Sequence, residues 1–323
     1  MSTETSHRPG PAAEPGPGSA ADTAPAPAHR GRLIGLAVLG GFLLSVAWSA
    51  EFADQAIGAH VADTLLGHEG TAPITGIVAG VVFAFVSGLA GTFTACNVAV
   101  FGAVAPLIGG TTGRWGRLVA ALRPLGWLAA GTFAVSALYG ALVGLVGTRM
   151  PQFSTAPVTE DSVPPPLVQA MVVFGLIGLA LLWLGLAAAR VVPDPLARLT
   201  ARHPNAPMVV MGVLIGGFLI GRPFPLFRQM FRDAADSGNP LYGAAAFCLQ
   251  SLGNLVVLTV LFVLLSLVGG GRLQRWFTAD RRRIAAVTTV ALVLPAVFLL
   301  LYWDVRLPAG RGLLPWYPTA PWV

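Results

Sequence analysis

The chain has 323 residues, of which 55% are hydrophobic and only 11% charged, with a formal net charge of +6. Its mean hydropathy of +0.72 belongs to a polypeptide that lives in lipid and argues against a soluble enzyme. All of the basic residues are Arg, and they fall in short loops between apolar runs, a pattern that orients a membrane protein rather than one that grips nucleic acid.

Residues 1–32 are rich in Pro, Ala, Gly, Ser and Thr and contain no apolar run, so they read as a disordered cytoplasmic tail. The first span follows over about 33–50, preceded by Arg30 and Arg32. Ala47-Trp48-Ser49 resembles a signal-peptide cleavage site, but the long leader favours a retained anchor. Residues 51–72 carry Glu51, Asp54, Asp63 and Glu69 with His60 and His68 and no Arg, as expected for an external acidic loop. The two His with nearby carboxylates are weighed as metal or haem ligands and read instead as part of a solvated loop, so no metal and no cofactor is expected.

The apolar run over 73–109 is too long for one straight crossing, which takes about 20 helical residues. Its centre, Ser87-Gly-Leu-Ala-Gly-Thr-Phe-Thr-Ala-Cys96-Asn97, is small and weakly polar, a surface suited to close helix packing. After a loop with Arg114, Arg117 and Arg123 come spans over about 125–146 and 167–189, separated by a Pro-rich external loop. Arg190, Arg198, Arg202 and His203 then mark an internal loop. From Met208 a further span runs to Gly221, where Arg222-Pro223-Phe224-Pro225 interrupts it; two prolines two residues apart remove helix donors and force a break.

The span that opens at Asn239 runs to about 268 and carries Cys248, Gln250, Ser251 and Asn254. Gln250 and Asn254 are one turn apart and share a face that should point into the bundle, whereas Cys248 is offset by about 200° from Gln250 at 100° per residue. A strongly basic loop at 272–283 precedes the last span, about 284–303, and an aromatic, Pro-rich tail over 304–323 ends outside.

The expected fold is therefore an all-α polytopic membrane protein of about seven transmembrane helices. An N-terminal anchor with its loop (33–72) precedes two three-helix repeats, 73–190 and 206–303, each opening with an interrupted helix. Because three is odd, the repeats enter the membrane in opposite directions, and paired discontinuous helices in inverted repeats mark a central site. The N-terminus is then inside and the C-terminus outside, in a bacterial cytoplasmic membrane.

Gly91-Thr-Phe-Thr-Ala-Cys96-Asn-Val-Ala99 followed by Pro106, together with Gly216-Gly-Phe-Leu-Ile-Gly-Arg-Pro-Phe-Pro225, resembles the motifs of the CcdA cytochrome c biogenesis proteins and the membrane core of the thiol:disulfide interchange protein DsbD. The resemblance implies six core helices in two inverted triplets, a redox cysteine at Cys96, and reducing equivalents passed from cytoplasmic thioredoxin to an external thiol protein. The sequence departs from the family where Ala95 and Ala99 replace the flanking prolines, and where Phe224 beside Pro223 replaces the second cysteine.

Three readings follow. The first is a divergent transmembrane thiol-disulfide electron carrier using Cys96 and Cys248, which requires a thiolate and two sulfurs at bonding distance. The second is a small-solute or ion transporter on the same scaffold, with Asn97, Arg222, Pro223, Phe224, Gln250, Ser251 and Asn254 lining the site. The third is an accessory subunit docking a partner through its external loops and tail. Beyond the lipid bilayer and the thiol partners, no nucleic-acid partner is expected.

Overall fold

The computed structural model describes residues 27, 29–49, 64, 77–90, 114–154, 163–221, 225–268 and 280–322. Regular structure among them is helical throughout: α1 (Arg30–Ala47), α2 (Ile77–Ala90), α3 (Arg114–Val146), α4 (Pro165–Ala188), α5 (Ala197–Arg202), α6 (Ala206–Gly221), α7 (Pro225–Asp236), α8 (Pro240–Val268), α9 (Arg281–Leu301), a π turn (Tyr302–Arg306) and α10 (Leu307–Gly310).

Local chemistry accounts for the boundaries. The Asp280 carboxylate caps α9 by accepting from Arg282 N at 2.8 Å, and Asn239 caps α8 by accepting from Leu241 N at 2.9 Å. Proline opens both α4 and α8, where its missing N–H costs nothing. Internal prolines, Pro124 in α3 and Pro295 in α9, remove one hydrogen bond each without ending their helices.

Five of these helical stretches are long and apolar enough to cross a membrane: Arg30–Ala47, Leu122–Arg149, Pro165–Ala188, Pro240–Leu261 and Arg282–Gly310. The protein is accordingly a multi-pass, membrane-embedded helical bundle. Large apolar side chains stay exposed at helical spacing, Leu138, Leu142 and Leu145 on α3 and Val172, Leu176, Leu179 and Trp183 on α4, the rows a bundle turns toward lipid.

The expectation of about seven spans is met only in this coarser form. The 16 residues of α6 reach about 24 Å at 1.5 Å per residue, short of a hydrocarbon core of about 30 Å. Of the run over 73–109, only α2 is described, and it has 14 residues. Two further differences concern the ends. The Arg-rich loop after α4 contains the short helix α5, and the last span does not give way to a free tail but continues through the π turn into α10.

Packing is set by glycine. A Cβ on Gly140 would overlap the Gly243 carbonyl and one on Gly144 the carbonyl of Asn239, so α3 and α8 touch backbone to backbone in antiparallel sense. Gly212 abuts Leu128 and Gly216 abuts Thr132 and Val135, so α6 runs parallel to α3. In both pairs the contact residues are a G-x-x-x-G repeat, Gly140/Gly144 and Gly212/Gly216. Gly178 and Gly185 of α4 meet Ala296 and Leu292 of α9 in antiparallel order, while α1 lies parallel to α9 through Gly41 against Leu294 and Val297.

One buried cluster, with Leu128, Phe174, Ile215, Leu258 and Leu299, joins α3, α4, α6, α8 and α9; a second, with Phe83, Tyr139, Leu219, Phe231 and Phe247, joins α2, α3, α6, α7 and α8. The helices α3, α6 and α8 belong to both, so they form the centre of the bundle.

Candidate functional site

Polar side chains in a bundle of this kind are costly, and where they gather is informative. Ser87 on α2, Thr132 and Ser136 on α3, and Gln250 and Ser251 on α8 are all buried. Ser136 Oγ donates to Thr132 O at 2.9 Å and lies 2.6 Å from Ser251 Oγ. Either hydroxyl can donate in the Ser136–Ser251 contact, which ties α3 to α8. Thr132 Oγ1 in turn lies 3.1 Å from Leu128 O and 3.0 Å from Gly212 O, linking α3 to α6.

Gln250 differs from its neighbours. It is 1% exposed, and neither its Nε2 nor its Oε1 has a hydrogen-bond partner among the described residues. The residue sits where α2 comes closest to α8, since a Cβ on Gly88 would overlap the Gln250 carbonyl oxygen. The described part of α2 runs to Ala90, less than a turn beyond that contact. A primary amide offers two donors and an acceptor, and here all of them are held out of water where α2 packs on α8.

A second polar cluster lies further along α3. The Tyr139 hydroxyl donates to Gln152 Oε1 at 2.6 Å, and Gln169 Nε2 donates to the Tyr139 oxygen at 2.9 Å and to Ile220 O at 2.7 Å. Ile220 is the penultimate described residue of α6, so Gln169 of α4 binds a carbonyl in the last described turn of that helix. Gln152 Nε2 and Gln169 Oε1 have no partner among the described residues. Thr132, Ser136 and Tyr139 follow one another along α3, so the two clusters make one polar track from mid-bundle to the turn after α3. Tyr139 meets the stacked Phe231 and Phe247 rings edge-on, with centroids at 6.1 and 5.7 Å.

Of the residues singled out in the sequence, the structure brings Gln250 and Ser251 into this layer, and Asn254 lies one turn further along on α8, its backbone N also close to Gly88. Cys248 is half-buried and free, and its Sγ lies 3.8 Å from Phe133 O, on the side of α8 that faces α3. Cys96, Asn97, Arg222, Pro223 and Phe224 lie outside the described residues, as do His60 and His68.

The sequence reading had Ser87 in its small, weakly polar stretch but missed Thr132, Ser136, Tyr139 and Gln169. The signal was available: each is a hydrogen-bonding side chain inside an apolar run, the test applied to the Cys248 helix but not to α3 and α4. No family model, no characterised protein and no solved structure matches this chain.

Proposed function

We propose that the protein is a carrier of a small polar solute across a bacterial cytoplasmic membrane, working from a central site that includes Gln250. The observation that carries this reading is the Gln250 amide, fully buried where α2 packs on α8, with neither polar atom partnered among the described residues. A fold without a use for that group would replace it with Leu, because an unsatisfied buried amide costs about 1–3 kcal/mol. A solute with both donor and acceptor groups is the natural partner of a primary amide.

Helix directions support the inverted-repeat scaffold on which the reading rests. The triplets are α2–α3–α4 and α6–α8–α9, with α7 as the continuation of α6. Their equivalent members face each other antiparallel, α3 against α8 and α4 against α9, as a two-fold axis in the membrane plane requires. The cross-pairs also correspond, since α2 packs on α8 as α6 packs on α3. In this scheme Arg-rich loops lie inside, the N-terminus is cytoplasmic, and the polar track from Ser136 to Gln152 leads outward, closed by the Tyr139, Phe231 and Phe247 rings.

The second reading, thiol-disulfide exchange, is favoured by the resemblance at Cys96. It needs Cys248 to meet Cys96, and the Cys248 thiol lies toward Phe133 on α3 rather than on the Gln250 face against which α2 packs. For that reason it takes second place.

The test is a thermal-shift panel of small polar solutes on wild type and Gln250→Leu, since a ligand that binds only the folded state raises its midpoint. The expected result is a solute that shifts wild type and not the variant. A panel without any such solute, combined with Cys96 and Cys248 protected together from a mass-tagging maleimide in native membranes, would transfer the protein to the thiol reading.

A further inference from the structure

The carboxyl-terminal residues form a structure that neither reading uses. Past the π turn, Leu313 N donates to Pro308 O and Gly312 N to Ala309 O, with Gly312 at φ 76°. This is the hydrogen-bond pair of a Schellman motif, which takes a left-handed residue, usually Gly, just past a helix end. It turns the chain back and holds Arg311 at the bend. The returning tail is then fastened to the end of α1: Ala320 N donates to Val46 O at 3.2 Å, Trp322 Nε1 to Ala47 O at 3.2 Å, and the Tyr317 hydroxyl pairs with Ser45 Oγ.

Arg306 locks this arrangement from beneath. It is 7% exposed, its Nη1 donates to Ser45 O and, at 2.7 Å, to Trp48 O, and its guanidinium lies over the Tyr302 ring at 5.1 Å. A cation on the last carbonyls of a helix is favoured by both their lone pairs and the helix dipole. Both of those bonds come from Nη1. Between this anchor and the tail lies a cavity of about 480 Å³, lined among others by Tyr302, Arg306, Arg311, Trp316, Tyr317 and Thr319. No carboxylate is among its described lining residues.

We propose that this cavity is an oxyanion site that takes the phosphate of a phospholipid headgroup. Guanidinium forks match the paired oxygens of a phosphate, and two of them border a space with no opposing negative charge. The volume falls within the roughly 300–1,000 Å³ of ligand pockets and exceeds what a bare ion fills. The rim fixes the depth: Trp316 is 77% exposed and Trp322 69% exposed at the end of the bundle, and exposed Trp beside a membrane helix end sits at headgroup level.

The experiment uses the full chain in nanodiscs containing either phosphatidylglycerol or diacylglycerol of the same acyl length, followed by native mass spectrometry after transfer to neutral detergent, with a parallel titration by inorganic phosphate. Arg311 makes no contact that holds the fold, so Arg311→Gln tests the site without dismantling the Arg306 anchor, and Arg149→Gln removes the same charge from an exposed position elsewhere. Phosphatidylglycerol should be retained and diacylglycerol not, with Arg311→Gln lowering retention about tenfold, the effect of about 1.4 kcal/mol, and Arg149→Gln leaving it unchanged. Retention that is indifferent to Arg311, or equal for the two lipids, overturns the proposal. Saturable binding of inorganic phosphate without lipid retention overturns the lipid assignment and leaves a site for a soluble phosphate.

Discussion

An amide group carried into a bilayer interior must find partners or cost stability, and Gln250 has none among the described residues. Replacing it with Leu removes that penalty while filling a similar volume. The Gln250→Leu protein is therefore expected to unfold at higher denaturant in detergent, gaining about 1–3 kcal/mol, while losing solute binding. A loss of both stability and binding would return Gln250 to a structural role. Glycine positions give the opposite sign: Gly212→Ala puts a methyl into the Leu128 carbonyl, and Gly88→Ala one into the Gln250 carbonyl. Each should cost about 1–3 kcal/mol by overpacking, read from the same denaturation curves. By contrast the Ser136–Ser251 bond, though buried and short, should show a coupling of only about 0.6 kcal/mol in a double-mutant cycle, because a membrane-inserted but unfolded chain also finds partners for its hydroxyls.

Among the elements, α6 is the one whose end depends on another helix. Gln169→Leu would leave Ile220 O without its acceptor bond, and hydrogen exchange should rise over the last turn of α6 while the α4–α9 contact at Gly178 and Gly185 stays protected. Much of this level was legible beforehand. Uninterrupted apolar runs gave α1, α3, α4, α8 and α9, since in lipid a backbone has little choice but to form a helix. The break expected from Pro223 and Pro225, which cannot donate, lies at residues 222–224, outside the described residues. Other features were hidden because they depend on which face a helix turns to its neighbour. Thr132, Ser136 and Tyr139 lie on a run whose hydrophobic periodicity is weak all round, so composition alone does not say that they point inward. The π turn and the anchoring of Arg306 on Ser45 and Trp48 join residues more than 250 positions apart, which no local pattern announces.

At the scale of the molecule, the antiparallel pairs α3–α8 and α4–α9 and the parallel pairs α3–α6 and α1–α9 fit a chain that crosses the membrane alternately, with α2 and α6 as the short members. Single cysteines at Arg114, Ser154 and Arg281 should then report inside, outside and inside to an impermeant thiol reagent; the reverse order would overturn the orientation but leave the packing intact. The central claim is that the Gln250 layer is a solute site and not sealed core. Its most direct test is a Gln250→Cys substitution in a Cys96→Ser, Cys248→Ser background, labelled in membranes with a small hydrophilic methanethiosulfonate reagent, with Leu258→Cys in the apolar cluster as reference. The account predicts that Gln250→Cys is labelled and Leu258→Cys is not. Two equally unreactive positions would contradict it, because a site that carries a polar solute must at some time be open to water.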